Sequence, residues 1–208
     1  MNSKFKYDYF RVRGFFPKGS KAKIDIFTKS RLMYMYIARA AEGKKVRNRL
    51  FKLILKVYGR KFGLEFQTDN IGVGFSMGHA FCITINDYAQ IGNNCSIAKG
   101  ATIGQTASDF GEDNIKAPII GNEVWIGVNA TIVGDVKIGN NVLIAPNAYV
   151  NFDVPSNSVV IGNPGEIHKK ENATDLYIIN KIKPGVEELW YQKEYIIVGS
   201  EISQYPIL

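Results

Sequence analysis

A six-residue repeat runs from Ile85 to Val154 and limits what this chain can fold into more than any other feature. An aliphatic residue opens each block, and a small or branched apolar residue follows four positions later in nearly every block. Glycine, asparagine and aspartate lie between them, and these residues tolerate tight turns and left-handed backbone. The opening residues are Ile85, Ile91, Ile97, Ile103, Ile120, Ile126, Ile132, Ile138, Ile144 and Val150. One short structural unit is therefore used ten times.

A period of six fits neither an amphipathic helix nor a long alternating strand. It is typical of a short strand followed by a corner, with three such units in each turn of a triangular coil. One coil buries almost nothing, so stacked neighbours must form the core. A β-sandwich with glycine-rich turns is the alternative, but its turns rarely recur at a fixed six residues. The sequence predicts a mostly β protein built as a parallel β-helix.

Charge divides the 208-residue chain into two unlike parts. Residues 1–62 contain 18 Lys and Arg against 3 Asp and Glu, a net charge of +15, whereas residues 63–208 have a net charge of −8. The basic part is expected to meet something anionic, or the acidic remainder of its own assembly. No run approaches about 20 apolar residues, and the N-terminus lacks the apolar segment of a signal peptide. These features predict a cytoplasmic protein.

The basic segment is predicted to be largely helical. One helix is expected from Thr28 to Ala41 and another from about Lys44 to Tyr58, stopped at Gly59. No structure is assigned to residues 1–27. The second helix has an apolar face made of Val46, Leu50, Leu53, Ile54, Val57 and Tyr58. It either packs on the β-helix with a solvated basic face or contacts anionic lipid or an anionic polymer, peripherally at the inner membrane face. No motif predicts a nucleic-acid partner.

The β-helix is predicted over residues 63–168, with an inserted loop near 107–118 and a C-terminal tail over 169–208. The tail contains Trp190, Tyr191 and Tyr195, and its packing is left open. Before the repeat, the column of apolar residues slips by two positions, and His79 lies at this slip. A titratable residue at a break in an apolar pattern marks a candidate site.

Metal chemistry finds little support in the residue types. His79 and His168 are the two histidines of the chain, so a zinc site with three histidines is not expected. Cys82 and Cys95 have no metal-ligand spacing, and Cys95 falls in a repeat column, which favours a buried thiol. No Ser-His-Asp motif or phosphate-binding loop is present. The prediction is an enzyme without a metal.

The segment GFSMGHAFCITINDYAQIGNNCSIAKGATIGQT, with VWIG at 124–127 and IGNP at 161–164, resembles the hexapeptide-repeat acyltransferases. Within that family it is similar to the serine acetyltransferase branch, and closer still to sugar and capsular-polysaccharide O-acetyltransferases. The resemblance covers residues 64–168 and implies a left-handed parallel β-helix. It also implies that His79 is a general base, which takes the proton of an acceptor hydroxyl that attacks acetyl-CoA. Imidazole suits this role because its pKa lies near working pH. A hydrogen-bonded corner histidine is the alternative.

The resemblance also implies an acetyl-CoA site in a groove between coils of adjacent subunits, and hence a homotrimer. The family positions that contact the pantetheine arm match Thr106, Gly127, Asn129, Ala145 and Pro146. Small or turn residues allow a ligand to approach the backbone closely. Corner geometry alone is the competing interpretation for each of them.

Three departures from serine acetyltransferases bear on the acceptor. Leu64 stands where the family has an aspartate that orients the base, Gly78 replaces an aspartate that helps hold serine, and Lys116 is the cation offered in place of a loop arginine. Gly78, Asn86, Asp87 and Lys116 are the predicted acceptor-binding residues. Either Glu65, Asn86 or Asp87 is expected to orient His79.

The leading hypothesis is therefore an acetyl-CoA-dependent O-acetyltransferase that acts on a hydroxyl of a sugar or polysaccharide precursor. One alternative keeps acetyl-CoA and changes the acceptor to serine or an amino sugar. Another is a trimeric β-helix scaffold without catalytic activity. The presence of His79 in its motif favours an enzyme over the scaffold.

Overall fold

The computed structural model describes residues 2–43, 46–106 and 116–183. Four α-helices come first: α1 Ser3–Arg13, α2 Gly19–Thr28, α3 Ser30–Ala41 and α4 Val46–Phe62. Fourteen short strands follow in the described part: β1 Leu64–Glu65, β2 Ser76–Gly78, β3 Ile83–Ile85, β4 Gln90–Ile91, β5 Ser96–Ala98, β6 Thr102–Gly104, β7 Ile119–Ile120, β8 Trp125–Ile126, β9 Thr131–Val133, β10 Lys137–Ile138, β11 Val142–Ile144, β12 Tyr149–Val150, β13 Ser158–Ile161 and β14 Glu166–Lys169. The inserted loop over 107–115 and the aromatic residues of the tail beyond 183 lie outside the described residues.

The strands stack into three sheets that form the sides of a prism, and all their pairs are parallel except β13–β14. Sheet 1 has the order β1-β3-β6-β9-β12, sheet 2 the order β4-β7-β10, and sheet 3 the order β2-β5-β8-β11-β13-β14. Isolated parallel bridges at Ile71 and Val154 extend sheet 2 at its two ends. The chain visits sheets 1, 2 and 3 in turn and completes five coils between Leu64 and Ile161. This arrangement confirms the predicted parallel β-helix with a helical N-terminal segment.

The apolar columns of the repeat form the core. Ile97, Ile126 and Ile144 stack on sheet 3 with at most 1% of their surface exposed. The columns stack because paired strands lie about 4.8 Å apart, which brings equivalent side chains into van der Waals contact. The corners between sheets 2 and 3 are held by a ladder of side chains, in which Asn122 accepts from the amide of Asn93 at 2.8 Å and Asn140 accepts from the amide of Asn122 at 2.7 Å. The repeat thus provides both the buried columns and the bonds between coils.

The helical segment differs from the prediction in its first part. Residues 1–27 were given no structure, yet they contain α1 and α2. Four of the aromatic residues there are buried, namely Phe5, Tyr7, Tyr9 and Phe10, and Phe5 and Tyr9 are fully enclosed. Arg39 of α3, also fully buried, joins the helices to the first coil. It donates to Asp8 of α1 at 2.7 Å and to the carbonyl of Ile71 at 2.8 Å.

The predicted end of α4 at Gly59 is wrong, because the helix continues to Phe62 and ends at Gly63, whose φ is +64°. Gly59 is instead a point of close approach. A Cβ at this position would clash with the carbonyl oxygen of Leu64 and would contact the Tyr34 ring. Gly59 therefore allows α4 to pack closely against its neighbours, and Gly63 ends the helix.

Two interpretations were open for the apolar face of α4, and packing of that whole face on the β-helix is not seen in the single chain. Within the single chain, its apolar side chains point outward, with exposures between 39% and 81%; they are Val46, Leu50, Leu53, Ile54 and Val57. Leu55 is buried instead, and Phe51, Tyr58 and Phe62 pack partly against the core. Both sets recur at helical spacing, so α4 has two apolar stripes. The more aromatic stripe packs inward, and we call the other one the outer stripe.

The C-terminal part of the described chain closes the coils. β14 pairs antiparallel with β13, a reversal that the sequence did not predict. The segment 171–183 then returns along the prism, with Tyr177 against Trp125 at 4.6 Å between ring centroids. Farther along, the Ile182 amide donates to Asn94 at 2.8 Å, and Asn180 donates to the Arg11 carbonyl at 3.2 Å. This segment therefore packs on the protein's own coils and reaches back to α1.

Candidate active site

His79 lies on a bulge between the first coil's sheet 3 strand and the next sheet 1 strand. Met77 pairs with Ile97, twenty residues later, whereas Ile85 pairs with Ile103, eighteen residues later. The turn after β2 is therefore two residues longer than the turn after β5. This locates the two-residue slip expected from the sequence at residues 79–82.

The bulge displays His79 on the surface. His79 adopts φ +54° and Cys82 φ +51°, left-handed conformations that are uncommon outside glycine and asparagine. Such conformations cluster at functional sites, where the surrounding structure offsets their cost. The imidazole is exposed and forms no side-chain hydrogen bond to any described residue. Nothing within the described part of one chain therefore occupies its two nitrogens.

None of the three predicted orienting residues contacts His79 in the single chain. Asn86 donates to Gln105 at 2.9 Å and accepts from the Tyr88 amide at 2.9 Å. Asp87 accepts from Gln67 at 3.0 Å. Glu65 lies on β1 with its side chain exposed. Asn86 and Asp87 thus shape the neighbouring corner, through side-chain bonds that sequence spacing did not reveal.

Four of the five predicted acetyl-CoA positions share one edge of the prism with His79. This histidine edge is formed by the turns that lead from sheet 3 to sheet 1, and it carries Gly127, Asn129, Ala145 and Pro146. Coils are about 4.8 Å apart, so these turns lie about 10 and 14 Å along the edge from the His79 turn. An extended ligand lying along the edge would pass all of them.

The backbone groups at these positions are already engaged in stacking. The amides of Gly127, Asn129 and Ala145 donate to carbonyls of neighbouring coils at 2.8, 3.0 and 2.8 Å. A Cβ on buried Gly127 would lie 2.6 Å from the Pro146 nitrogen. The glycine is therefore required by coil stacking, and a ligand at this edge would meet exposed Asn129 and Pro146 rather than free amides.

Four of the five remaining predicted residues lie on a different edge. The turns that lead from sheet 1 to sheet 2 form this loop edge, which carries Asn86, Asp87, Thr106 and Lys116. Lys116 forms an ion pair with Asp135 at 2.9 Å, and both side chains are about half exposed. Gly78, by contrast, lies beside His79 on β2, where a Cβ would meet only atoms 3.9 Å or more away.

The two edges cannot meet within one chain. They are separated by one side of the prism, which is about 15–20 Å for a run of five or six residues. Residues of the histidine edge and of the loop edge can therefore share a ligand only if two copies of the chain stand side by side.

Neither cysteine nor any histidine cluster provides a metal site among residues 2–43, 46–106 and 116–183. His168 pairs opposite Val159 beyond the fifth coil, far from His79 on the first. Burial raises the pKa of Cys95 to about 12, so its thiol stays protonated and structural, as its column position predicted. The described helices also include none that is long and apolar enough to cross a membrane.

Sequence reasoning missed a cleft between α4 and the first coil, with a volume of about 630 Å³. Lys52, Lys56 and Arg60 line it from α4, and Glu65 and Asp87 line it from the coil. The regular spacing of the three cations was a usable signal. It did not show that the cations face a cavity, because that depends on how α4 docks.

Comparisons with known proteins agree with the fold. Residues 117–151 match the family described as bacterial transferase hexapeptide (six repeats). Serine acetyltransferase 2 of Arabidopsis thaliana is 36% identical over 107 residues, which are 51% of this chain and 32% of that protein. The serine acetyltransferase of Staphylococcus aureus (strain Mu50 / ATCC 700699) is 37% identical over 101 residues, which are 49% of this chain and 46% of that protein. The chain thus spans less than half of the length of these relatives.

Among solved structures, the serine acetyltransferase of Brucella abortus strain S19 in complex with coenzyme A superposes with a TM-score of 0.69 at 24% identity, covering 81% of this chain and 67% of that one. The soybean apoenzyme gives a TM-score of 0.61 at 26% identity, covering 79% and 66%. These comparisons support the left-handed winding that the resemblance implied. They do not support the predicted closeness to sugar and capsular-polysaccharide enzymes, because the relatives found are serine acetyltransferases. Residues 117–151 therefore match the bacterial transferase hexapeptide repeat, and the chain is wound into a β-helix with the fold of the solved serine acetyltransferases.

Proposed function

We propose that this protein is an acetyl-CoA-dependent O-acetyltransferase with His79 as its general base. One observation carries the proposal: an exposed histidine stands on a two-residue bulge at an edge of hexapeptide coils, in a left-handed conformation and with both nitrogens available. The relatives at 36% and 37% identity are acetyltransferases by name, which supports the same reaction class.

His79 performs the proton transfers of the proposed reaction. Acetyl-CoA supplies the acetyl group as a thioester. A neutral His79 nitrogen takes the proton of the acceptor hydroxyl as its oxygen bonds to the thioester carbon. The carbon–sulfur bond then breaks, and the imidazolium returns the proton to the leaving thiolate. Atoms and charge balance without a metal, since one proton is taken up and given back.

Serine is the acceptor that the relatives' names favour. The second candidate is a sugar hydroxyl, and two residues of this chain favour it. Leu64 is 5% exposed and pairs with Ile83, so that position offers a packed apolar side chain where the serine enzymes carry an aspartate. Gly78 leaves open space beside the base. The missing carboxylate at position 78 removes a partner for serine, and the missing one at position 64 removes a group that would orient the base.

We infer that the working form is a homotrimer. The argument is geometric. The histidine edge and the loop edge bound the same side of the prism, and each carries a different part of the predicted site. A ring of three prisms brings the histidine edge of one copy against the loop edge of the next. Heterologous contacts of this kind close into rings.

We also propose that the outer stripe of α4 binds an anionic membrane surface. α4 contains six Lys or Arg and no Asp or Glu, and its exposed apolar side chains form one stripe. Two such helices would repel each other if they paired, whereas anionic lipid would attract both the charge and the apolar side chains. This contact would hold the enzyme peripherally, without a membrane-spanning segment.

The substitution His79→Asn tests the enzyme assignment. Asparagine tolerates a positive φ, so the bulge is kept while the base is removed. Acetyl transfer to serine and to a panel of sugars should fall by about a hundred- to ten-thousand-fold, measured as thiol release from acetyl-CoA. Thermal unfolding of the variant should match the parent. Near-normal turnover would remove His79 from its role, and no turnover with any acceptor by the parent protein would favour the scaffold hypothesis.

A further inference from the structure

The cleft between α4 and the first coil has two charged walls that do not touch. Its helix wall carries Lys52, Lys56 and Arg60, and its coil wall carries Glu65 and Asp87. No ion pair within 4.0 Å joins the two walls in the described part of the chain. The walls stand far enough apart to leave about 630 Å³ between them. A molecule that enters the cleft would therefore meet cations on one side and carboxylates on the other.

The helix wall is a regular row of cations. Lys52, Lys56 and Arg60 are four residues apart, so successive side chains are about 6 Å apart along the helix axis. No acidic residue occurs anywhere on α4. Such a row favours an anionic group, and arginine and lysine both form strong charge-assisted hydrogen bonds to phosphate.

The coil wall favours hydroxyl groups. Glu65 and Asp87 present carboxylate oxygens, which accept hydrogen bonds from hydroxyls. Gln67 adds an amide and donates to Asp87 at 3.0 Å, which holds that carboxylate in place. Between the walls, buried Leu55 and Phe66 form a rigid floor, and the Tyr34 hydroxyl is committed to the Phe66 carbonyl at 2.8 Å. The floor therefore does not compete for the ligand.

The cleft borders the bulge that carries His79. Gly63 lines the cleft, and a Cβ at Gly63 would lie 3.0 Å from the Cys82 sulfur. The Cys82 amide donates to the Phe62 carbonyl at 2.8 Å, which ties the end of α4 to this bulge. His79 is three residues from Cys82 on the same turn. The end of the cleft at Gly63 therefore adjoins this bulge, while His79 itself does not line the cleft.

We propose that this cleft binds a phosphorylated sugar, with its phosphate on the α4 cations and its hydroxyls on the carboxylates of the coil. The proposal goes beyond the proposed acetyl transfer, since Asp87 of the loop edge lines this cleft and His79 does not. Volumes of about 300–1,000 Å³ are typical of small-molecule sites, and a free amino acid would leave most of this one unfilled. A phosphate bound directly to the carboxylate wall would be repelled, so the ligand has one orientation.

Calorimetric binding of glucose 1-phosphate to the full chain, without acetyl-CoA, tests the helix wall. Lys56→Gln and Arg60→Gln should each weaken binding by about tenfold, because each removes a charged hydrogen-bond donor. Arg49→Gln is the matched control, since Arg49 is exposed on the same helix outside the cleft, and it should change nothing. Equal effects of all three variants, or no binding by the parent at millimolar ligand, would overturn the proposal.

Inorganic phosphate, glucose and serine serve as the competing ligands. Glu65→Gln should weaken the binding of glucose 1-phosphate and leave the binding of inorganic phosphate unchanged or tighter. The reason is that the Glu65 carboxylate repels phosphate but accepts hydrogen bonds from hydroxyls. The sugar assignment would be refuted if inorganic phosphate binds as tightly as glucose 1-phosphate. It would also be refuted if the cleft variants weaken the binding of serine as much as they weaken the binding of glucose 1-phosphate. His79→Asn should bind glucose 1-phosphate normally, which keeps the cleft test separate from the test of catalysis.

Discussion

Individual residues at the corners decide how closely the coils stack. Asn129, Asn141 and Asn147 adopt φ between +53° and +61°, and their side chains and backbone reach the neighbouring turn. Gly127 fits because its missing Cβ leaves room for the Ala145–Pro146 backbone. His79 uses the same left-handed conformation on a longer turn, so the geometry that packs other corners exposes this one.

Replacement of Gly127 by alanine should therefore destabilise the protein, whereas Gly78→Ala should not. The new Cβ at 127 would lie 2.6 Å from backbone, and overpacking of this kind typically costs about 1–3 kcal/mol. At Gly78 the nearest atoms are 3.9 Å away, an ordinary contact. Urea unfolding at one fixed protein concentration measures both. If Gly78→Ala proves as harmful as Gly127→Ala, close stacking does not explain the glycine at 127.

Among the structural elements, α4 has the most varied surroundings. One side packs on α3 and the first coil through Leu55 and Gly59, a second lines the cleft with cations, and the third presents the outer stripe. A single helix thus lines the proposed sugar-phosphate cleft and carries the proposed membrane contact. The basic residues of α4 therefore do not share one environment: Lys52, Lys56 and Arg60 line the cleft, whereas Arg49 is exposed outside it.

Vesicle sedimentation tests the outer stripe. The protein should bind vesicles that contain anionic lipid and should dissociate as salt rises, because each Lys or Arg near the surface contributes about 1 kcal/mol that salt screens. The double change Leu53→Ser and Val57→Ser should weaken binding by about tenfold through lost apolar burial.

Leu176→Ser is the control for this measurement, since Leu176 is 80% exposed in the C-terminal segment, away from α4. It should sediment like the parent. Equal binding to neutral and anionic vesicles would contradict the charge argument. Loss of self-association in the Leu53 and Val57 variant, with no vesicle binding by the parent, would show instead that a second copy covers the stripe.

At the scale of the whole molecule, the described chain is tied together from both ends. Arg39 and Asp8 fix the helices to the first coil, while residues 171–183 run back along the prism to α1. The predicted site residues nevertheless remain on two edges. In the proposed trimer, one chain would therefore supply only part of each site.

Light scattering should find three 23.2 kDa chains in each particle under conditions that support acetyl transfer. The expected reason is that the histidine edge of one copy completes the loop edge of the next. A monomer with full activity would show that one edge suffices, and the division of the site between copies would be wrong.

The sequence by itself determined the coil. Its period of six fixes where each strand and corner falls, because a local pattern of apolar columns and turn residues is repeated until chance is excluded. It also located the slip at His79, since a register shift is visible wherever a column breaks. Acceptor identity was not determined in this way, and neither was the partner of His79.

Only the tertiary structure decided which stripe of α4 faces inward, because Phe51, Leu55, Tyr58 and Phe62 recur at the same helical spacing as the outer stripe. It also showed that the cations of α4 face a cleft, that Gly59 is a contact and not a stop, and that residues 171–183 pack on their own coils. Each of these depends on contacts between residues far apart in the chain. Periodicity describes what one element offers, whereas the docking of elements decides which of those surfaces is buried, lines a cavity or stays exposed.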